Sequence, residues 1–427
     1  NTVGLVDPRL AMPYVQQYNL SLQREWKGYV FEGRYVGNHS VGTLRQVDAN
    51  QINPFQNGFE QDFLRARNNG FAAQRAGLGF NPAYNPNVAG SQPLPLISTF
   101  TAGGNLNNPT VRNLLLTGEI GGLAQNYQQT LPSLGSIGSF FPNPNALFAG
   151  YLTNVSHSSY NGGQFEVRRA FRSGYQFQAN YTFSKVLSDA TALRALDAAL
   201  DNNNLRLERS RAPWDTTHAF KLNHVWALPF GDGHRLGWKP LNRVIGGWSL
   251  TGFLTVQSGS PISIFSARGT YNRGARSGNN TVDTNLTGSQ LRSDVFGFYM
   301  TGDGPYFINP RNIGPDGRGV ASDGAAPFNG QVFFNPQPGT FGSLQRRFFS
   351  GPWFRNYDFS ILKDVAITER QRLQVRAEFF NLTNTASFQH GATTGSTNQN
   401  VNSATFGRIV ELASTSRQIQ FSLFYRF

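Results

Sequence analysis

The chain has 427 residues with 37 Lys and Arg against 24 Asp and Glu, a net charge of +13, yet charged residues make up only 14% of it, against a typical ~25%. Forty-six Gly, 36 Phe and 15 Tyr describe a strand-rich and loop-rich protein, the lack of cysteine excludes disulfides and thiolate metal sites, and no apolar run approaches the ~18 residues of a membrane helix. The arginines are scattered singly and Lys-rich runs are absent, so nucleic acid is not an expected partner, whereas an anionic surface such as lipopolysaccharide is. The chain begins at Asn1 with neither an initiator Met nor a signal peptide, and a processed chain or a piece of a longer one is expected.

Taken in chain order, one pattern recurs. Tyr18, Leu20 and Leu22 alternate with Gln17, Asn19, Ser21 and Gln23; Tyr29, Phe31, Gly33 and Tyr35 then alternate with Val30, Glu32, Arg34 and Val36. A period of two is that of a strand with one apolar and one polar face. Residues about 42–156 follow with little alternation and much Gly, Asn and Pro. Within them "FEQDFLRARNN" predicts a helix, with Glu60 and Asp62 ahead of Arg65 and Arg67 as the helix dipole favours. Tyr175, Phe177, Ala179, Tyr181 and Phe183 against Gln176, Gln178, Asn180, Thr182 and Ser184 form the cleanest strand. A second helical piece, capped by Ser188 with Leu193, Leu196 and Leu200 as its stripe, is expected next.

Phe220, Leu222 and Trp226 against Lys221 and Asn223 predict another strand, and Trp248, Leu250, Leu254 and Val256 the one after it. Residues about 266–342 form a second long connection. Leu373, Val375, Ala377 and Phe379 oppose Gln374, Arg376 and Glu378. The terminal "RQIQFSLFYRF" sets Ile419, Phe421, Leu423, Tyr425 and Phe427 on one face, with only Phe424 out of pattern. Ten to twelve strands of about 10 residues are expected, the length that crosses a bilayer when tilted. Tight turns at Arg172–Gly174 and Ala227–Gly233 alternate with the long connections.

A soluble sandwich also alternates, but three features favour an all-β, antiparallel transmembrane β-barrel with long extracellular loops. Aromatics stand at strand ends, with Tyr29, Tyr35, Tyr175, Trp226, Trp248, Tyr425 and Phe427 as candidates for the membrane interface. The polar face is Gln, Asn, Ser and Thr with an occasional charge, as a wet lumen requires, and closure removes edges that lipid could not solvate. Candidate lumen contacts are Glu32, Arg34, Gln176, Gln178, Lys221, Gln374, Arg376 and Glu378. Glu32/Arg34 and Arg376/Glu378 are i,i+2 pairs at lumen-facing positions, where cross-strand ion pairing inside the barrel is expected and ligand contact is the alternative. No catalytic constellation emerges: the six His are dispersed without H-E-x-x-H spacing, "GPDGRG" at Gly314–Gly319 lacks the acids of a calcium loop and reads as a turn, and neither a nucleophile elbow nor a phosphate loop is present. No enzyme, cofactor or metal site is expected.

Several stretches carry a family likeness. "DPRLAMPYVQQYNLSLQREWKGYVFEGRYVGN" (Asp7–Asn38), "YTFSKVLSDA" (Tyr181–Ala190), "NNLRLERSRAPWDTTHAFKLNHVWALPFG" (Asn203–Gly231) and the run from Phe333 to Phe388 resemble the barrel of Oar-like TonB-dependent receptors of the Acidobacteria type. The resemblance implies the C-terminal half of a 22-strand receptor barrel in the outer membrane of a Gram-negative bacterium. The plug and the N-terminal regulatory-like domain of such receptors are not visible in residues 1–427, and contact with the TonB complex would run through that missing region. It implies TonB-dependent uptake of a scarce nutrient: an oligosaccharide, a peptide or a metal chelate. Outer-membrane lipid and lipopolysaccharide are the surroundings it implies. The alternative is a surface protein whose long loops adhere to cells or matrix without transport. A half-set of strands would leave two apolar edges; hydrogen bonds between Tyr14–Arg24 and Arg417–Phe427 would instead mark a small self-closed barrel.

Overall fold

The computed structural model describes residues 1–427 except 190–198, 232–240, 279, 369 and 390–396. The helix expected over 188–200 therefore lies mostly outside the described residues; Ser188 itself closes a strand. After β1 (Thr2–Val6), nine strands run up and down in sequence order: β2 (Tyr14–Trp26), β3 (Tyr29–Asp48), β4 (Phe148–Arg172), β5 (Tyr175–Ser188), β6 (His218–Ala227), β7 (Trp248–Gln257), β8 (Phe354–Ala366), β9 (Arg372–Phe380) and β10 (Gln418–Arg426). Each is hydrogen-bonded to the next, all antiparallel. β1 and the short Ser210–Arg211 strand join the same sheet, so eleven strands meet in it but only nine are staves. Among the described residues β2 and β10 do not pair with each other, and the wall is open.

The alternation read from the sequence decides which side each residue takes. One register row runs Arg24, Phe31, Val167, Ala179, Leu222, Leu254 and Tyr357; a parallel row runs Tyr175, Trp226, Leu250, Ile361, Ala377 and Phe421. Apart from Arg24 at the end of the first row, these rows build one continuous apolar face. Polar pairs on it satisfy each other: His224 Nε2 lies 3.1 Å from Tyr357 Oη, and Tyr181 Oη 2.8 Å from His218 Nδ1. The first pair meets over Gly252, where any Cβ would lie 2.4 Å from the imidazole.

The turns explain the asymmetry of the two ends. Lys27–Gly28 and Ser173–Gly174 have φ of 51° and 80°, and 54° and 81°, the two left-handed residues of a type I′ hairpin turn that matches strand twist. A five-residue turn over 367–371 closes with Ile367 N donating to Gln371 O at 2.9 Å. The Ala227–Gly233 turn expected from sequence is a longer connection, because pairing resumes only at Trp248. The opposite end carries connections 49–147, 189–217, 258–353 and 381–417.

Two expectations are corrected here. Strands of about 10 residues describe β6, β7, β9 and β10, but β3 has 20 residues and β4 has 25. Residues 42–48 and 148–156, expected in a loop, are paired strand, because Thr43, Arg45 and Asp48 keep hydrogen-bonding partners across small bulges. Nor are the long connections mere loops. Residues 49–147 contain α1 (Phe59–Arg75), which includes the helix expected from sequence, with α2 (Pro109–Leu116) and α3 (Ile120–Thr130), around a core of Phe59, Phe63, Ile97, Phe100, Leu123 and Tyr127. Burial pushes the Tyr127 hydroxyl far above its ordinary pKa. Residues 258–353 and 398–409 share a second core of Ile262, Phe307, Phe333, Val401 and Phe406.

Candidate functional site

The polar side of the wall is built from the residues between those that build the apolar face. Its middle row runs Gln23, Glu32, Glu166, Asn180, Lys221, Thr255 and Asn356 across seven strands. Glu32 faces Glu166 directly, a repulsive arrangement for two carboxylates. Each is held by an arginine two residues along its own strand: Arg34 Nε donates to Glu32 Oε1 at 3.0 Å, and Arg168 Nη1 lies 3.7 Å from Glu166. On β8 and β9 a second ladder runs from Asp364 through Gln374 (3.0 Å) and Arg376 (3.1 Å) to Glu378 (3.5 Å). The ion pairs are thus formed along strands, not across them as expected, because the directly opposite partners of Glu32 and Arg34 are Gln23, Glu166, Ser21 and Gln164. Phe424, out of pattern in the sequence, lies on this polar face with its ring 5.2 Å from the Arg376 guanidinium. Gln176 and Gln178 lie between the two ladders, Gln178 opposite Arg168.

The aromatic residues fall into two bands on the apolar face. Trp26, Tyr29, Tyr175, Trp226, Trp248 and Tyr425 stand at the short-turn end, and Phe427 stacks on Tyr425 at 5.9 Å. Tyr35 belongs to the other band, with Tyr18 at 6.1 Å and with Phe183 and Trp353 flanking His218 at 5.1 and 5.8 Å. Six to eight residues separate the bands, about 20–26 Å along a strand, the scale of an outer-membrane apolar belt. Beyond Tyr35, β3 continues for about 43 Å.

That projecting hairpin is locked to the folded connections by buried charges whose partners are distant in the chain. Asp48 bonds Arg273 at 2.7 Å and lies 3.7 Å from Arg276; Glu208 lies 3.6 Å from Arg45 and bonds Arg346. Burial lowers the Arg276 pKa, Arg273 lowers it further, and Asp48 opposes both. Arg268 bridges the two cores, donating to Asp323 (2.6 Å), Asn402 (2.9 Å) and the Thr117 carbonyl (3.0 Å). Their partners are 55 to 225 residues away in sequence, so no local spacing announces them. A cleft of about 280 Å³ opens in the 49–147 unit between Tyr84, Pro93, Leu94, Ser98 and Leu106. Among the described residues no three His, Asp or Glu side chains converge on a metal position. The Gly314–Gly319 segment is a turn, closed by Gly314 N to Arg318 O at 2.7 Å.

Comparison with known proteins supplies a family. The profile of the outer membrane beta barrel domain family matches residues 1–420. No curated protein matches the chain. Among solved structures, the pyoverdine outer membrane receptor FpvA of Pseudomonas aeruginosa aligns at 10% identity and TM-score 0.36, covering 97% of this chain and 30% of the receptor. The outer membrane transporter YddB of Escherichia coli aligns at 8% identity and TM-score 0.38, covering 98% of this chain and 33% of the transporter. The chain spans about a third or less of these structures. It belongs to the outer membrane β-barrel family, as an antiparallel wall in the outer membrane of a Gram-negative bacterium.

Proposed function

We propose that this chain is wall and outer cap of a TonB-dependent receptor that admits a scarce nutrient, an oligosaccharide, a peptide or a metal chelate. One observation carries the reading: the wall is apolar on one side and continuously polar and charged on the other, with its long connections folded into a cap at one end only. The resemblance of the Asp7–Asn38, Tyr181–Ala190, Asn203–Gly231 and Phe333–Phe388 segments to Oar-like receptors points the same way. In this reading the apolar side meets lipid, the polar ladders face the lumen, and the cap lies outside the cell. Unpaired N–H and C=O groups on β2 and β10 cannot sit in lipid, so further strands pair with both edges. The chain binds and passes its ligand rather than transforming it.

A second reading, surface adhesion without transport, is favoured by one specific feature: the cap has its own cores and needs no lumen to fold. The test is uptake of labelled oligosaccharide, peptide and ferric-chelate pools by cells with and without this protein, and with and without TonB. Uptake lost equally in both deletions supports the receptor. Uptake unchanged, with cell–cell or matrix binding lost, replaces it with the adhesin.

A further inference from the structure

We propose that the short-turn rim of the wall holds the phosphate of an anionic phospholipid from the periplasmic leaflet at Lys27, Arg169 and Arg172. The three cations come from two neighbouring hairpin tips on the apolar side. Arg169 sits opposite Tyr29 and Phe177 in the register, with its guanidinium 5.5 Å from the Tyr29 ring and 5.9 Å from that of Tyr175. Its Nη2 donates to the Arg172 carbonyl at 3.3 Å. The Arg172 guanidinium lies against Gly28, 3.6 Å from where a Cβ would stand, and Lys27 Nζ is 4.8 Å from the Trp26 ring.

Among the described residues no carboxylate accompanies these cations: none of the three forms an ion pair, whereas Arg34, Arg168 and Arg376 on the polar side each have one. The nearest acid in sequence, Glu25, falls on the opposite face, across from Val30. Lys363, the other cation beside an aromatic of this band, is buried and donates to the Val244 carbonyl at 3.0 Å, so it is already committed. Like charges gathered without a counterion repel one another, and an external anion relieves that repulsion. The position names the anion. These residues stand level with Trp26, Tyr29 and Tyr175, where aromatic rings mark the headgroup layer. Arginine offers a phosphate two parallel N–H donors, and a basic cluster at that level attracts anionic headgroups. Assignment to the periplasmic leaflet rests on the proposal that the cap lies outside the cell; the phosphates of lipid A are the other source of the same chemistry.

The protein, extracted from outer membranes in mild detergent, is examined by native mass spectrometry with phosphatidylglycerol, phosphatidylcholine or lipid A added. Wild type is expected to retain phosphatidylglycerol and release phosphatidylcholine. The variant carrying Lys27→Gln, Arg169→Gln and Arg172→Gln should retain it at least tenfold more weakly, Arg172→Gln alone should lose part of it, and Arg169→Lys with Arg172→Lys should keep most. Equal retention by wild type and the triple variant, or equal retention of both glycerolipids, overturns the site. Preference for lipid A overturns the leaflet. Because the chain has no cysteine, Ser173→Cys reads the orientation separately: labelling by a membrane-impermeant maleimide on intact cells would overturn the outward cap while leaving the phosphate chemistry to the lipid result.

Discussion

Ala179 and Gln178 are neighbours in sequence and face opposite sides of the wall. At Ala179 an arginine would stand among Val167 and Leu222 on the apolar face, and the expected cost is about 2–4 kcal/mol near the bilayer midplane. At Gln178 it would face Arg168 and Asn223 on the polar face, where repulsion by the opposite guanidinium should cost no more than about 1 kcal/mol. Urea titration of both variants in lipid vesicles measures the difference, and a larger cost at Gln178 than at Ala179 would invert the register. Asp7 offers a pH readout outside the membrane span. The Arg9 backbone N–H and then the Thr153 hydroxyl, at 2.9 and 2.8 Å, hold its carboxyl below the ordinary carboxylate range. A depressed carboxylate stabilises the fold above its ordinary value and ceases to do so as pH falls through the folded one. Hydrogen-exchange protection of β1, which pairs with β4 at Phe148–Leu152, should therefore drop as the medium is acidified below about pH 4. Asp7→Asn should show low protection at neutral pH with no further acid dependence; protection like wild type would remove Asp7 from the tether. At this scale the sequence was largely legible, since parity alone assigns the faces. Phe424 was not, because its partner Arg376 is on another strand.

Whole elements were legible only where a period exists. The nine staves announce themselves by alternation, and α1 by its charges, but the cap does not. Its core residues Ile97, Phe100, Leu115, Ile120 and Phe140 are separated by Gly, Asn and Pro and come from short pieces in different directions, so no window shows a face. The overlength of β3 and β4 was hidden in the same way: Gly42, Asn154 and Ser156 read as loop residues, yet their backbone lies in a ladder with bulges. A folded cap has a consequence for proteolysis. Protease added to intact cells should cut at few places, with the segment after α1 favoured, where Leu78 is 63% exposed between two glycines of positive φ. Phe59→Ala, which empties a fully buried site beside Phe100 and Phe140, should cost the cap about 3–5 kcal/mol and expose new cuts throughout 49–147. Glu208→Ala should cost a similar amount, about 3–5 kcal/mol, by leaving Arg45 and Arg346 buried without that carboxylate. Wild-type cutting patterns in both variants would mean that the cap does not depend on these cores and pairs.

At the scale of the molecule the decisive quantity is the distance between the outer strands. Nine adjacent strands at about 4.8 Å spacing make an arc of about 38 Å. Among the described residues each outer strand has a neighbour on one side only: β2 pairs with β3, and β10 with β9. The sequence could not reveal this, because an edge strand and a paired one carry the same alternation. Ser21 on β2 and Ser422 on β10 both lie on the polar face, Ser21 opposite Arg34 and Ser422 opposite Arg376. Spin labels at these two positions, in the protein held in its outer membrane, should give a distance of roughly 25–38 Å, the chord of that arc. A wall that closed on itself would bring the two strands side by side and the labelled backbones to about 5 Å. A short distance within one chain would make this a nine-stave pore too narrow to hold a plug, and the receptor reading would give way to adhesion by the cap. A long distance that collapses when the protein is extracted into detergent would show that neighbouring strands in the membrane, not the curvature of this sheet, keep the edges apart.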